Sequence, residues 1–257
     1  MVENAASVDN SIYHLLGERW YDADDDPVAL LRAESRLRNP WVARNLRQHH
    51  GPQASILDLG CGGGFLTNSL ALEGFRVVGL DASPESLLVA RTHDETRAVD
   101  YIAGDALNLP FAASTFDAVS AMDLLEHVEQ PQRVILEVSR VLRPGGTFFF
   151  HTFNRNWLSW LVVIKGVEWC VRNTPPNMHV LRFFIRPREI RQFCEYASMD
   201  VIEIQGNAPV FWSWPFWRML RTGLVPDDLC FQFGKSLLLG YTGFARLTQR
   251  AQQLHAE

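Results

Sequence analysis

Cysteine is scarce in this chain of 257 residues: Cys61, Cys170, Cys194 and Cys230 stand far apart, and no two form a C-x-x-C pair. That spacing excludes a zinc ribbon and a disulfide framework and fits a reducing, cytoplasmic compartment. Excess positive charge is missing too. The formal net charge is −5, so no broad basic field offers itself to a nucleic acid. No uninterrupted apolar run reaches the roughly 18 residues of a membrane span, and the polar stretch 1–10 lacks a basic-then-apolar signal pattern. The expectation is a protein neither secreted nor membrane-spanning. Internal repeats and low-complexity segments are absent as well. The length can bury a sizeable core in one large α/β domain or two small ones, and a single domain over 1–257 is the reading preferred here.

What is present is organised around residues 55–66, SILDLGCGGGFL, an apolar strand that runs into glycines and out into a helical pattern. Such a loop brings backbone close to a ligand and points helix N–H groups at it. A dinucleotide fingerprint requires a third glycine where Phe65 stands, which disfavours a nicotinamide cofactor. Asp58, two residues before Gly60, would repel a pyrophosphate but suits an ammonium or sulfonium, and S-adenosylmethionine carries both. One strand and one helix later, Asp81 ends Arg76-Val77-Val78-Gly79-Leu80-Asp81 and can accept both ribose hydroxyls. Asp105, after a third strand, falls at the same sheet edge, where an adenine amino group could bind.

Strands are expected at 54–60, 76–81, 99–103, 116–122 and 147–153, with helices near 64–73, 84–93 and 131–142 between them. Ser83-Pro84 marks one helix start and Arg143-Pro144-Gly145-Gly146 one stop. Before this core (54–153), the segment 1–53 reads as helices over 11–20 and 27–50, separated by the acidic run 22–26. Trp20, Tyr21, Leu30, Leu31, Leu37 and Trp41 either cover the cofactor mouth or pack on the sheet edge. After it, 154–180 is an apolar insertion rich in Trp, Leu and Val, and 181–257 adds a helix at 187–196, a strand at 200–205 and a final strand at 236–248 that pairs back into the sheet.

The ordered set Asp58-Leu59-Gly60-Cys61-Gly62-Gly63-Gly64, Gly79-Leu80-Asp81, Gly104-Asp105-Ala106, Leu125-Glu126-His127-Val128 and Leu142-Arg143-Pro144-Gly145-Gly146 resembles the class I S-adenosylmethionine-dependent methyltransferases. A narrower resemblance, to the ubiquinone-biosynthesis O-methyltransferases, is carried by Arg19-Trp20-Tyr21-Asp22, Arg38-Asn39-Pro40, Thr152-Phe153-Asn154-Arg155-Asn156 and Phe184-Ile185-Arg186-Pro187. The resemblance implies a doubly wound, mostly parallel seven-stranded sheet of Rossmann-like α/β class, with an N-terminal helical segment and a hydrophobic insertion after strand five. It implies cofactor contacts at Gly60, Asp81 and Met122. Together with the residue reading, the cofactor set is Asp58, Gly60, Gly62, Asp81, Ala82, Asp105, Ala106 and Met122. The chain departs from the family in three places. Val42 stands where the family has an arginine, leaving Arg36, Arg38 or Arg44 to reach the cofactor carboxylate. Asn177-Met178-His179-Val180 replaces a Thr-His-Asp. The aromatic run 211–217 begins a longer tail.

Methyl transfer to a phenol needs the acceptor deprotonated, by a general base or by a metal Lewis acid. Asp123, Glu126 and His127 are spaced i, i+3 and i+4, which on a helical turn would place two carboxylates and an imidazole on one side. The family has E-x-x-E-H here, implying a divalent metal; oxygen ligands suit Mg²⁺ or Mn²⁺, the imidazole Zn²⁺ or Fe²⁺. Without metal, His127, with Glu126, acts as base or as structural hydrogen-bonder. His151 is a second base candidate, better read as a core histidine. The expected activity is O-methyl transfer to a lipophilic phenol or catechol such as a quinone precursor. Alternatives are another small apolar acceptor, a nicotinamide-dependent oxidoreductase and a catalytically silent lipid-binding module. The insertion places Trp157, Leu158, Trp160, Leu161, Ile164, Val167 and Trp169 on a helical face beside Arg155, Lys165 and Arg172. That mixture points to peripheral contact with a membrane's inner face, or to a lid or dimer interface.

Overall fold

The computed structural model describes residues 10–175 and 178–248. Its eight strands are β1 (Ser55–Leu59), β2 (Arg76–Asp81), β3 (Asp100–Ala103), β4 (Phe116–Met122), β5 (Leu142–Phe153), β6 (Met199–Pro209), β7 (Phe231–Gly234) and β8 (Gly240–Leu247). They form one mixed sheet in the order β3-β2-β1-β4-β5-β8-β6-β7. β1 to β5 pair in parallel, while β8 runs antiparallel to both β5 and β6, and β7 antiparallel to β6.

The expected seven strands are therefore corrected to eight. The extra one, β7, has only four residues and alternates between half-buried and exposed positions on the edge. So short a run inside an aromatic tail carries little periodic signal.

The period of two is plain in the core. Phe148 and Phe150 face one side of β5 and join Val134, Ile135 and Val138 of α5 (Pro131–Val141) and Ile190 of α8 (Pro187–Tyr196). Phe149 faces the other side, with Trp41 and Leu46 of α2 (Val28–His50) and Leu66 and Leu70 of α3 (Phe65–Leu72). α4 (Pro84–Thr92) begins where Ser83 and Pro84 predict, with the Ser83 hydroxyl accepting from the Ser86 amide at 3.1 Å.

The helix expected over 11–20 is broken. A 3-10 turn, Asn10–Leu15, is followed by Gly17 at φ +51° and then by the short α1 (Arg19–Asp22). After β5 the insertion is a single helical rod made of α6 (Trp157–Ser159), a π-helical stretch Trp160–Gly166 and α7 (Val167–Cys170). Its Ile164 packs with Phe153 and Phe184. α7 lies against α9 (Trp214–Thr222), and Val171, just past α7, belongs to the same apolar cluster as Met219. No helix among the described residues is long and apolar enough to cross a membrane.

The strand order reverses between β1 and β4, since the chain leaves β1 on one side through β2 and β3 and returns on the other. In such sheets a crevice opens beyond the carboxyl ends of the strands at the switch point.

Candidate active site

A cleft of about 310 Å³ occupies that crevice, and Asp58, Gly60, Gly62, Asp81, Ala82, Asp105, Ala106 and Met122 all line it. The glycine turn is held from two sides. Gly62 and Gly64 sit at φ +51° and +86°, a region that costs any other residue strain. A Cβ at Gly62 or Gly63 would come within 2.6 or 2.7 Å of the Trp20 ring, so the indole seals the turn from outside. Asp81 ties the turn from within: its Oδ2 accepts from the Gly62 amide and its Oδ1 from the Ser83 amide, both at 2.8 Å.

Asp58 is buried and accepts from Ser120 Oγ at 2.7 Å and Thr67 Oγ1 at 3.2 Å. Burial pushes its carboxyl up to about 7 against those two bonds, and burial likewise raises Asp81. Both groups therefore favour a cationic neighbour that would repay their ionisation. Asp105 is exposed at the rim, its Oδ1 accepting from the Leu107 amide.

The three residues Asp123, Glu126 and His127 do not share a face. Asp123 takes φ +60°, and the following Leu125–His127 is a 3-10 turn rather than an α-helical one, so the i, i+3, i+4 spacing fails to stack them. Asp123 turns to Arg38, which donates to Oδ1 at 2.9 Å and Oδ2 at 2.5 Å, and lies 3.4 Å from His151 Nε2. Burial would raise the Asp123 carboxyl, but the Arg38 guanidinium holds it down at about 2. His151, pushed to about 3 by burial, is neutral near pH 7 and donates or accepts at Thr242 Oγ1, 2.9 Å away, as a core histidine would. Glu34, 3.3 Å from Arg38, is driven up to about 8 by burial.

Glu126 and His127 turn the other way, toward His179. Donor atoms of these three lie within 4.8 Å of one another. Glu126 is 1% exposed, and among the described residues neither of its oxygens has a hydrogen-bond partner; His127 Nδ1 has none among them either. Burial, then the Asp123 charge, raises Glu126 to about 8. Burial lowers His127 to about 4 and His179 to about 3.

The residues 10–22 form a strap over the cleft. Tyr13 stacks on Trp20, and its hydroxyl lies 3.5 Å from His127 Nε2. Asn10 Nδ2 donates to the His127 carbonyl at 3.1 Å, and Tyr21 donates to the Gly63 carbonyl at 2.9 Å. Of the expected covering face, Trp20 and Leu31 line the cleft, whereas Trp41 is in the sheet core and Leu30 packs near Met219. Sequence reasoning missed Tyr13, which carries no local motif, and the part of His179, which stands in the segment noted only as a departure. Asn177 lies outside the described residues.

The profile of the family described as a methyltransferase domain matches residues 57–150. The ubiquinone biosynthesis O-methyltransferase of Aromatoleum aromaticum is 34% identical over 206 residues, 79% of this chain and 86% of that protein. The protein of the same name from Erwinia tasmaniensis is 37% identical over 197 residues, 76% of this chain and 80% of that one. Among solved structures, magnesium protoporphyrin IX methyltransferase from Synechocystis, with bound SAH, superposes with a TM-score of 0.57 at 16% identity, covering 84% of this chain and 83% of its own. At that identity the likeness shows the fold.

Glu34 and Asp58 make stability depend on pH. A carboxyl raised in the fold contributes fully below its unfolded value, near 4.5 for Glu34 and 3.8 for Asp58, and that contribution is lost as pH rises through the folded value. His151 acts oppositely, but only below its unfolded value of 6.5. The unfolding midpoint of the unliganded protein is thus expected to fall between about pH 6.5 and 8, and Glu34→Gln to flatten part of that fall in thermal scans. A wild-type midpoint constant across this window would contradict the assignment.

Proposed function

The chain belongs to the ubiquinone biosynthesis O-methyltransferase family, enzymes of class I S-adenosylmethionine-dependent methyl transfer, and from that premise we propose that it methylates a phenolic oxygen of a lipophilic quinone precursor. The observation that carries the reading is one cleft, at the switch point of the sheet, with two desolvated carboxylates at the ends of β1 and β2 and His127 across from them. The nicotinamide alternative falls with the methyltransferase family, as Phe65 already argued.

The residues fit S-adenosylmethionine. Asp58 and the turn 60–64 take the methionyl end, where an ammonium and a sulfonium offset the cost of ionised carboxyls. Asp81 spends one lone pair of each oxygen on Gly62 and Ser83 and retains another for a ribose hydroxyl. Asp105 and Ala106 serve the adenine, and Met122 lines the adenosine. Transfer is an in-line displacement, so the protein's work is to align the acceptor and exclude water; Trp20 and Tyr13 close the cleft for that purpose.

On the acceptor side, His127 is neutral near pH 7 and free to take a proton, but a base lowered to about 4 is poorly matched to a phenol near ~10. A divalent cation fits the set Glu126, His127 and His179, whose unpartnered Glu126 oxygens and His127 Nδ1 are the ligand atoms such an ion requires. Bound there, it would supply Lewis acidity that lowers the phenol's pKa. Asp123, committed to Arg38, is outside that set.

The insertion supports contact with a membrane surface. Trp157, Trp160 and Trp169 are exposed, and so are Trp212, Trp214 and Trp217 on the neighbouring α9 segment. Arg155 and Lys165 are paired with Glu189 and Glu168, which weakens the electrostatic share of the attraction and leaves the indole rings as its main source.

Three measurements test this reading. Asp81→Ala is expected to weaken S-adenosylmethionine binding by about 30-fold, the equivalent of about 2 kcal/mol; unchanged affinity in titration calorimetry would sink the cofactor assignment. His127→Ala should cut methyl transfer to a catechol roughly 100-fold or more while leaving cofactor affinity within about twofold. Full activity after exhaustive chelation would remove the cation and leave His127 as base. In co-sedimentation, the wild type should pellet with vesicles of both anionic and zwitterionic lipid, and Trp157→Ser/Trp160→Ser/Leu161→Ser should remain in solution. Equal behaviour of the two proteins would reject the membrane contact.

A further inference from the structure

The 3-10 turn Asn10–Leu15 touches His127 at two points. Asn10 Nδ2 donates to the His127 carbonyl at 3.1 Å, and the Tyr13 hydroxyl lies 3.5 Å from Nε2 of the ring, with the two ring planes at 83°. Tyr13 is itself held in place. Its ring stacks on Trp20 at 5.8 Å, its carbonyl accepts from Ser86 Oγ of α4 at 3.1 Å, and it packs against the apolar cluster of Trp20, Val28 and Val89. The hydroxyl therefore has a fixed position relative to the imidazole.

The other nitrogen of His127 has no comparable contact. Nδ1 is buried and without a hydrogen-bond partner among the described residues, and the Glu126 oxygens, unpartnered among them too, do not accept from it. In a neutral imidazole one nitrogen carries the proton and the other a bare lone pair, so the partner of one decides the state of both. A hydroxyl satisfies Nε2 in either state, and the choice falls to Nδ1. Orphaned N–H groups are rarer in protein interiors than orphaned acceptors. That preference leaves Nδ1 bare and puts the proton on Nε2, where the Tyr13 oxygen can accept it.

We propose that Tyr13 is a positioning residue for methyl transfer: its hydroxyl accepts from Nε2–H and thereby holds His127 with a bare lone pair on Nδ1. The inference rests on the function proposed above, while the tautomer itself belongs to the chain without an acceptor. A lone pair on Nδ1 is what either chemistry at that wall requires, a proton taken from the phenol or a cation that polarises it. The strap thus takes a chemical part in the site beyond sealing the glycine turn through Trp20. A phenylalanine at position 13 could stack on Trp20 in the same way and would leave Nε2 without its acceptor.

The test uses the full chain with nitrogen-15-labelled histidine, dialysed against chelator and saturated with S-adenosylhomocysteine, and two-bond proton–nitrogen correlation spectra at neutral pH. The His127 pattern is identified by its absence from His127→Gln. The wild type is expected to show His127 in one form, protonated on Nε2 alone. Tyr13→Phe should populate the Nδ1–H form and lower kcat for a catechol roughly tenfold or more, while KM for S-adenosylmethionine stays within about twofold. Asn10→Ala, which removes the other contact of the strap with His127, should keep the wild-type tautomer. Affinity for S-adenosylhomocysteine reports that each variant is folded, and Tyr13→Leu removes the hydroxyl by a second route. A wild-type ring protonated on Nδ1 or on both nitrogens, or Tyr13 variants that keep the wild-type pattern, would overturn the proposal. A tautomer that follows the Tyr13 hydroxyl, in a protein that does not methylate the catechol, would keep the pairing of Tyr13 with His127 and reject the O-methyltransferase reading instead.

Discussion

The bidentate pair between Arg38 and Asp123 is the interaction on which the arrangement of the site depends. It joins the middle of α2 to the residue just beyond β4, at the sheet's switch point. Asp123 is held at φ +60°, a conformation that a short carboxylate side chain tolerates better than most. That left-handed residue redirects the chain, so the next turn presents Glu126 and His127 toward His179 and away from Asp123. A buried pair of this kind adds little net stability, because desolvation consumes most of the attraction; breaking it by removing one partner typically costs 3–5 kcal/mol. Its value here is geometric. With Arg38 in place, burial favours the neutral form of Glu34 while the guanidinium beside it favours the ionised form of Asp123.

A second dependence runs through the strap. Trp20 seals Gly62 and Gly63, Tyr13 stacks on Trp20, and Tyr13 reaches His127. The cofactor turn and the proposed acceptor side are thus in contact through two aromatic rings. Tyr13 and Trp20 line the same cleft as Asp58 and Asp81, so the position of the strap sets the shape of that cleft. The strap is anchored at its edges by exposed pairs, His14 with Glu85 and Glu18 with His93. Pairs of that sort are worth little individually, so the strap is held chiefly by the packing of Tyr13 and Trp20.

The parallel half of the sheet was legible because four of its five strands combine an apolar run with a chemical landmark at or just past the carboxyl end: Asp58, Asp81, Asp105 and Met122. All four landmarks line one cleft. The metal trio was misread because sequence spacing assumes a helix, and nothing in Asp123-Leu124-Leu125-Glu126-His127 announces that its first residue lies in the left-handed region. Arg38 appeared among three arginines for the cofactor carboxylate; only its depth in α2, set by tertiary packing, selects it and gives it to Asp123. β7 and the broken first helix escaped for a related reason. Four residues on an edge and one glycine at positive φ are decided by neighbours distant in sequence.

The charge of the cleft bears on where catalytic power resides in the proposed reaction. Methyl transfer turns a sulfonium into a neutral thioether, so any carboxylate that attracts the reactant's cation loses that attraction as the transition state forms. Binding of this sort improves affinity for the substrate form and hastens release of the product, but it does not lower the barrier and, if placed at the sulfur, would raise it. Asp58 and Asp81 are set back at the ends of β1 and β2, and Asp58 is hydrogen-bonded into the sheet by Ser120 and Thr67. That position suits the methionyl and ribose ends of the cofactor. In the proposed reaction the rate enhancement would then come from the other wall: alignment of the acceptor oxygen, loss of its proton beside His127, and exclusion of water by Trp20 and Tyr13. In the proposed reaction the acidic floor would select the cofactor, and His127, which lines the opposite side of the cleft, would act on the acceptor.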